Sequence, residues 1–247
     1  MMPGKLTVIG FGPGGKKDMT FGAAEAIEDS DVIYGYKVYT DLLYELFPHK
    51  KYIPSGMLRE IERCRAAVAE ALAGKRVAIV SSGDAGVYGM AGAAYQVAEE
   101  MDADIEIEVV PGITAAVSAA ALLGAPLMHD FAVISLSDLL TPFDLIMKRV
   151  DSAGAGDMIV CLYNPKSRKR VDHLRTAADI LLRYRDPSTP AGIVRNIGRD
   201  GECVRITTLS DLSDEEVDMF STVIIGNSQT YVSNGRIITP RGYSMDQ

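Results

Sequence analysis

Short apolar runs alternate with amphipathic stretches along the first half of the chain. Leu6-Thr7-Val8-Ile9 reads as a buried strand, and the runs at 31–34, 52–53, 77–80 and 105–110 read as its companions. Helices are expected from about Thr20, over 37–47, over 57–73 and over 86–101, and a helix of small side chains over 115–123. In the 57–73 helix, Leu58, Ile61, Ala66, Val68, Ala69 and Leu72 are expected on one face. Strand and helix in alternation is the mark of a parallel α/β sheet. Residues 124–130 break both periodicities with Gly124 and Pro126 and read as a domain connector. A second set follows, with strands over 131–135, 158–163, 192–196, 204–209 and 222–225, and helices over 142–151, 168–184 and 214–220. Short turns between the late strands predict a mixed sheet with antiparallel pairing, ending near 235–238. The expected fold class is α/β, as two α/β domains (1–123 and 124–247) with a ligand cleft between them.

Composition narrows the function classes. The chain has 247 residues, enough to bury a proper core, and carries a net charge of −8, so nucleic acid is not expected as a general partner. No apolar run approaches membrane-spanning length, and the start lacks a signal peptide's apolar stretch. Cys64, Cys161 and Cys203 are scattered and odd in number, which suits a reducing compartment and argues against an intrinsic zinc or iron–sulfur site. The expectation is a soluble cytoplasmic protein without a membrane or metal role.

The stretch that organises the chain is 80–92, Val-Ser-Ser-Gly-Asp-Ala-Gly-Val-Tyr-Gly-Met-Ala-Gly, between a buried strand and a helix. A small-residue turn with one acid at a strand's carboxyl end is how α/β proteins build a ligand floor. Its glycines admit a flat ligand to the backbone, or else let the helix pack closely on its sheet. Gly10, Gly12 and Gly15 satisfy a G-x-G-x-x-G spacing, but two features oppose a dinucleotide. The segment 16–19 intervenes before the helix, and the second strand ends in Gly35 where a ribose-binding acid belongs.

Residues 164–170, Asn-Pro-Lys-Ser-Arg-Lys-Arg, form the one dense basic run in an acidic protein, where a strand hands over to a helix. Cations there oppose the helix macrodipole. The run is either a solvated face or a clamp for carboxylates or phosphates. His129-Asp130 could supply a proton near neutral pH, ligate a metal axially, or simply hydrogen-bond the connector. No hydrolytic constellation is present.

Four landmarks stand in order: Gly10-Phe11-Gly12-Pro13-Gly14; Ser82-Gly83-Asp84 with Val87-Tyr88-Gly89; Val110-Pro111-Gly112-Ile113-Thr114-Ala115; and Tyr163-Asn164-Pro165. Together they resemble the tetrapyrrole (corrin/porphyrin) methyltransferases over essentially the whole chain. Within the family, the runs 82–90, 130–142 and 162–170 resemble the branch that methylates C17 of precorrin-3B or its cobalt counterpart as the macrocycle contracts. The resemblance implies an S-adenosylmethionine cofactor in the interdomain cleft, a corrinoid substrate and a homodimer. Carried over, Pro13 borders cofactor and substrate, and Ser82, Gly83, Asp84 and Val87 line the cofactor's amino-acid and ribose side. Thr114, Ala115, Tyr163 and Ile197 close the pocket. Asp84 then offers an acceptor of charge complementary to a sulfonium.

Gly15 stands where the family often has an acid, Ala85 where other branches have proline, and Gly35 where the uroporphyrinogen-methylating branch has its proposed base. That leaves no obvious base. An electron-rich ring carbon can attack an activated methyl directly, so alignment supplies much of the acceleration. Lys166, Arg168 and Arg170 are expected to grip substrate carboxylates, and His129 is the candidate acid–base group for ring contraction. Methylation at another corrinoid position, a nicotinamide-dependent oxidoreductase and a non-catalytic tetrapyrrole carrier are the rival readings.

Overall fold

The computed structural model describes residues 4–244. The chain divides between Ala115 and Ala116 into two units.

The first unit is built on five parallel strands: β1 (Lys5–Gly10), β2 (Val32–Tyr36), β3 (Tyr52–Ser55), β4 (Arg76–Ser81) and β5 (Glu106–Val110), in the order β3-β2-β4-β1-β5. Alternation along the strands splits its core in two. Ile9, Ile33, Ala78 and Val80 pack against α1 (Phe21–Asp29) and α2 (Lys37–Leu46). Leu6, Val8, Val77 and Ile79 pack with α3 (Glu60–Leu72) and α4 (Ala91–Glu100) on the other face. Thr20 caps α1 as expected, its hydroxyl accepting from the Ala23 amide at 3.1 Å. The segment before it forms a short 3-10 turn, Lys16–Asp18.

Two expectations for this unit are corrected. The buried stripe of α3 is Arg63, Cys64, Ala67, Val68 and Ala71, whereas Leu58, Ile61 and Leu72 are exposed. Small side chains let α3 approach its neighbours, so the larger apolar residues fall outside the contact. Helix α4 starts at Ala91 rather than near Gly86, because Asp84 takes the amides of Gly86 and Val87 into a turn and Tyr88 adopts φ +53°.

The second unit carries α5 (Ala115–Leu123), which opens at its boundary. Its main sheet comprises β7 (Phe131–Ser135), β8 (Ile159–Tyr163), β9 (Pro190–Arg195), β10 (Cys203–Thr208) and β11 (Ser221–Ile225), ordered β10-β9-β11-β8-β7. Only β7 and β8 pair in parallel; the other neighbours are antiparallel, as the short turns predict. Helices α6 (Phe143–Ala155) and α7 (His173–Leu181) cover a core that includes Ile134, Leu162, Ile193 and Val223. A small sheet joins β6 (Gly124–Ala125), β12 (Tyr231–Ser233) and β13 (Arg236–Ile238).

The division falls one helix before the 123/124 boundary set from the sequence. Leu123 packs on β9, where a Cβ added to Gly192 would lie 2.5 Å from its methyl carbons. The Ala116 amide donates to the Tyr163 hydroxyl at 2.7 Å. Helix α7 begins five residues later than the expected 168. The helix expected over 214–220 is absent; only Leu212–Asp214 forms a 3-10 turn. There the Asp218 carboxylate accepts from the Phe220 amide and the Ser221 hydroxyl, an alternative that competes with helix.

Candidate functional site

In the first unit, β1 leads to α1 on one face while its neighbour β4 leads to α4 on the other. Adjacent parallel strands whose connections part in this way bind ligands at their carboxyl ends in α/β proteins. The loops there are clasped together. Gly12 donates to Gly83 O at 3.0 Å and Gly83 donates back to Gly12 O at 2.7 Å, with φ +82° and +69° respectively. A Cβ on Gly112 would stand 2.2 Å from Gly83 O and 2.3 Å from Gly10 O, so the loop after β5 also lies against this clasp.

The glycines of the organising stretch therefore divide between the two readings the sequence left open. Gly89 is packed against its own turn, since a Cβ would meet Ala85 O at 2.4 Å. Gly83 is buried, and a Cβ there would be in ordinary contact with Thr114 Cα and Ala115 N at 3.8 Å, whereas Gly92 has nothing within 4 Å. Asp84 is more an organiser than a free acceptor. Its Oδ1 accepts from Gly86 N at 2.8 Å and Val87 N at 3.1 Å, and its Oδ2 from Gly112 N at 3.0 Å. These take three of roughly four lone-pair sites of the carboxylate. Pro13 is buried, Ser82 and Thr114 are half-buried, and Val87 is exposed, all on the same strand-end loops. Arg63, which the sequence reading passed over, braces the stretch from α3, donating to Ser55 Oγ, Gly56 O and Met90 Sδ.

In the second unit, register places Ser135 beside Tyr163, so the loops after β7 and β8 leave the same sheet edge. β9 runs parallel to β8 across their shared neighbour β11, which puts Ile197, buried just beyond β9, at that edge too. Leu136 N donates to Tyr163 O at 2.9 Å, and Asn164, at φ +52°, donates from Nδ2 to Ser135 Oγ at 3.1 Å. The Tyr163 hydroxyl holds the first turn of α5 through the Ala116 amide. Of the basic run, Arg168 and Lys169 are exposed, Lys166 is half-buried and Arg170 is only 8% exposed, with its Nε lacking a hydrogen-bond partner.

His129 is not brought to this edge. It precedes β7 at the end where Phe131 pairs with Ile159, a full strand length from Ser135 and Tyr163. Its Nδ1 accepts from the Asp130 amide at 3.1 Å, the connector role among the options the sequence left open. The histidine that does reach the site edge is His173, whose Nε2 lies 3.2 Å from Asp138 Oδ2. Desolvation works against the Asp138 charge, but His173, a backbone amide and the nearby Arg170 outweigh it and hold its carboxyl below the usual range. No spacing in the sequence links residues 138 and 173; only the parallel β7–β8 pair does. No helix among the described residues is long and apolar enough to cross a membrane.

The family model of the tetrapyrrole (corrin/porphyrin) methylases matches residues 5–213. The chain is 50% identical over 240 residues to a Salmonella typhimurium protein named "Probable cobalt-factor III C(17)-methyltransferase", covering 97% of this chain and 100% of that one. It is also 50% identical over 246 residues to the cobalt-factor III methyltransferase of Priestia megaterium, covering 98% of this chain but only 46% of that longer protein. Among solved structures, that of the methyltransferase CobJ superposes with a TM-score of 0.90 at 34% identity, covering 96% of this chain and 100% of that one.

Proposed function

This chain belongs to the tetrapyrrole (corrin/porphyrin) methylase family, and from that premise we propose that it methylates C17 of cobalt-factor III, with contraction of the macrocycle, in cobalamin biosynthesis. The observation that carries the reading is the 50% identity sustained over the whole length of the Salmonella relative. That likeness favours the cobalt-bearing substrate over precorrin-3B, a choice that the sequence reading left open. The proposal includes a homodimer, as the family resemblance implies, and a cytoplasmic setting, in keeping with three cysteines that remain free.

S-Adenosylmethionine, when bound, supplies a methyl group activated on a sulfonium. The first unit supports such a ligand: the loops at the carboxyl ends of β1 and β4, clasped through Gly12 and Gly83, stand beside Thr114 and Ala115. Pro13, Ser82, Gly83, Val87, Thr114 and Ala115 would line the site; Tyr163 and Ile197, in the second unit, are the further cofactor-binding candidates the resemblance adds. Asp84 acts mainly by fixing the loops and secondarily through its remaining lone pair. The chain's task is then to hold two reactants in line, a contribution that in well-aligned systems reaches roughly 7–11 kcal/mol. Lys166, Arg168 and Arg170 provide the substrate's grip on its peripheral carboxylates, Arg170 through a planar fork matched to a carboxylate.

Anaerobic incubation with cobalt-factor III and methyl-labelled S-adenosylmethionine tests the reading. Label at C17 of a contracted product is expected; label at another carbon, or none, overturns it. Titration with S-adenosylhomocysteine and a nicotinamide dinucleotide should give binding of the first alone. Arg170→Ala should weaken corrinoid binding at least tenfold and leave S-adenosylhomocysteine affinity unchanged; the reverse pattern would sink the clamp.

A further inference from the structure

Asp138, Arg170 and His173 come together at the carboxyl-end edge of the second unit's sheet, from the loops after β7 and β8 and the start of α7. His173 Nε2 is buried without an aligned hydrogen bond although Asp138 Oδ2 is 3.2 Å away. The Arg170 side chain is more than nine-tenths buried and its Nε also has no partner. A buried guanidinium is costly unless paired and hydrogen-bonded. Asp138 thus lies within ion-pair distance of His173 and feels Arg170 as a nearby charge.

From α6 the Phe143 ring meets His173, edge-on with centroids 4.7 Å apart. Asp172, next in the chain, makes no side-chain cap to α7. Arg175, farther along α7, and Asp214, in the Leu212–Asp214 turn, lie 4.0 Å apart. Lys166, Arg168 and Lys169 add positive charge from the same loop. The amino end of α7 itself favours an anion over a cation.

We infer that Arg170 and His173 form a carboxylate-binding subsite, in which a substrate carboxylate takes over the partnership that Asp138 holds in the free protein. The inference rests on the proposed corrinoid substrate and adds His173 and Asp138 to its recognition. Asp138 competes with the ligand for these basic groups, so removing its charge should strengthen binding.

The test is the dissociation constant of cobalt-factor III, measured anaerobically on the full chain, with S-adenosylhomocysteine titrated in parallel. His173→Gln should weaken corrinoid binding about fivefold and Asp138→Asn should tighten it, both with unchanged S-adenosylhomocysteine affinity. Unchanged corrinoid binding in His173→Gln, or weaker binding in Asp138→Asn, overturns the subsite. Binding of S-adenosylhomocysteine with no corrinoid binding by the unmodified protein would remove the substrate reading, and this inference with it.

Discussion

Asp84 was legible as a candidate because a lone acid stands among glycines, but its geometry gives it a different weight. Each carboxylate oxygen faces backbone N–H groups, so Asn in its place must turn its amide group toward Gly112 N on one side or toward Gly86 and Val87 on the other. Asp84→Asn should therefore cost about 1–2 kcal/mol of stability and weaken S-adenosylhomocysteine binding. Chemical denaturation and calorimetry measure both; an unchanged midpoint would return Asp84 to the role of a free acceptor. The sequence could not reveal this, because the Gly112 amide lies 28 positions away and meets Asp84 only through the pairing of β1 with both β4 and β5.

At the scale of elements, apolar periodicity located every strand of the two main sheets, and it placed α5 and β7 to the residue. It failed where side chains compete for backbone groups, at 86–90 and 214–220, and where small residues make the contact, as on α3. Helix α5 joins the second unit through Leu123 against Gly192. Gly192→Ala, which forces a Cβ to 2.5 Å from the Leu123 methyl carbons, should destabilise by about 1–3 kcal/mol. A denaturation midpoint like the parent's would place α5 outside that contact. At the other end of the first sheet, Asp31 joins the starts of β2 and β4. The Arg76 guanidinium and amide hold its carboxyl below the ordinary value. A depressed acid stabilises above its unfolded value and loses that contribution as pH falls through the folded one. The stability difference between the parent and Asp31→Asn should thus be under about 1 kcal/mol at neutral pH, given this exposed pair, and close below about pH 4.

At the scale of the whole molecule, function depends on which residues share a sheet edge rather than which are neighbours in the chain. His129 and Tyr163 sit at opposite ends of the β7–β8 pair, so His129→Ala should leave methyl transfer and ring contraction unchanged in an anaerobic turnover assay. Loss of contraction with methylation intact would restore it to the chemistry. The basic run retains its place in the proposal, but its members are not equivalent. Arg170 is buried and Arg168 is exposed, a distinction that seven consecutive letters do not carry.

By itself the sequence determined the α/β class, the mixed second sheet, the start of α1 at Thr20 and the ordered landmarks of the family. These are local matters, set by side-chain periodicity, turn chemistry and spacing along one stretch of chain. Only the tertiary structure decided that Gly10, Gly83 and Gly112 serve loop-on-loop packing while Gly92 faces open space. It alone placed His173 beside Asp138 at the strand-end edge and His129 at the opposite end of β7. Those outcomes depend on strand register, which fixes which distant loops leave a sheet at the same end.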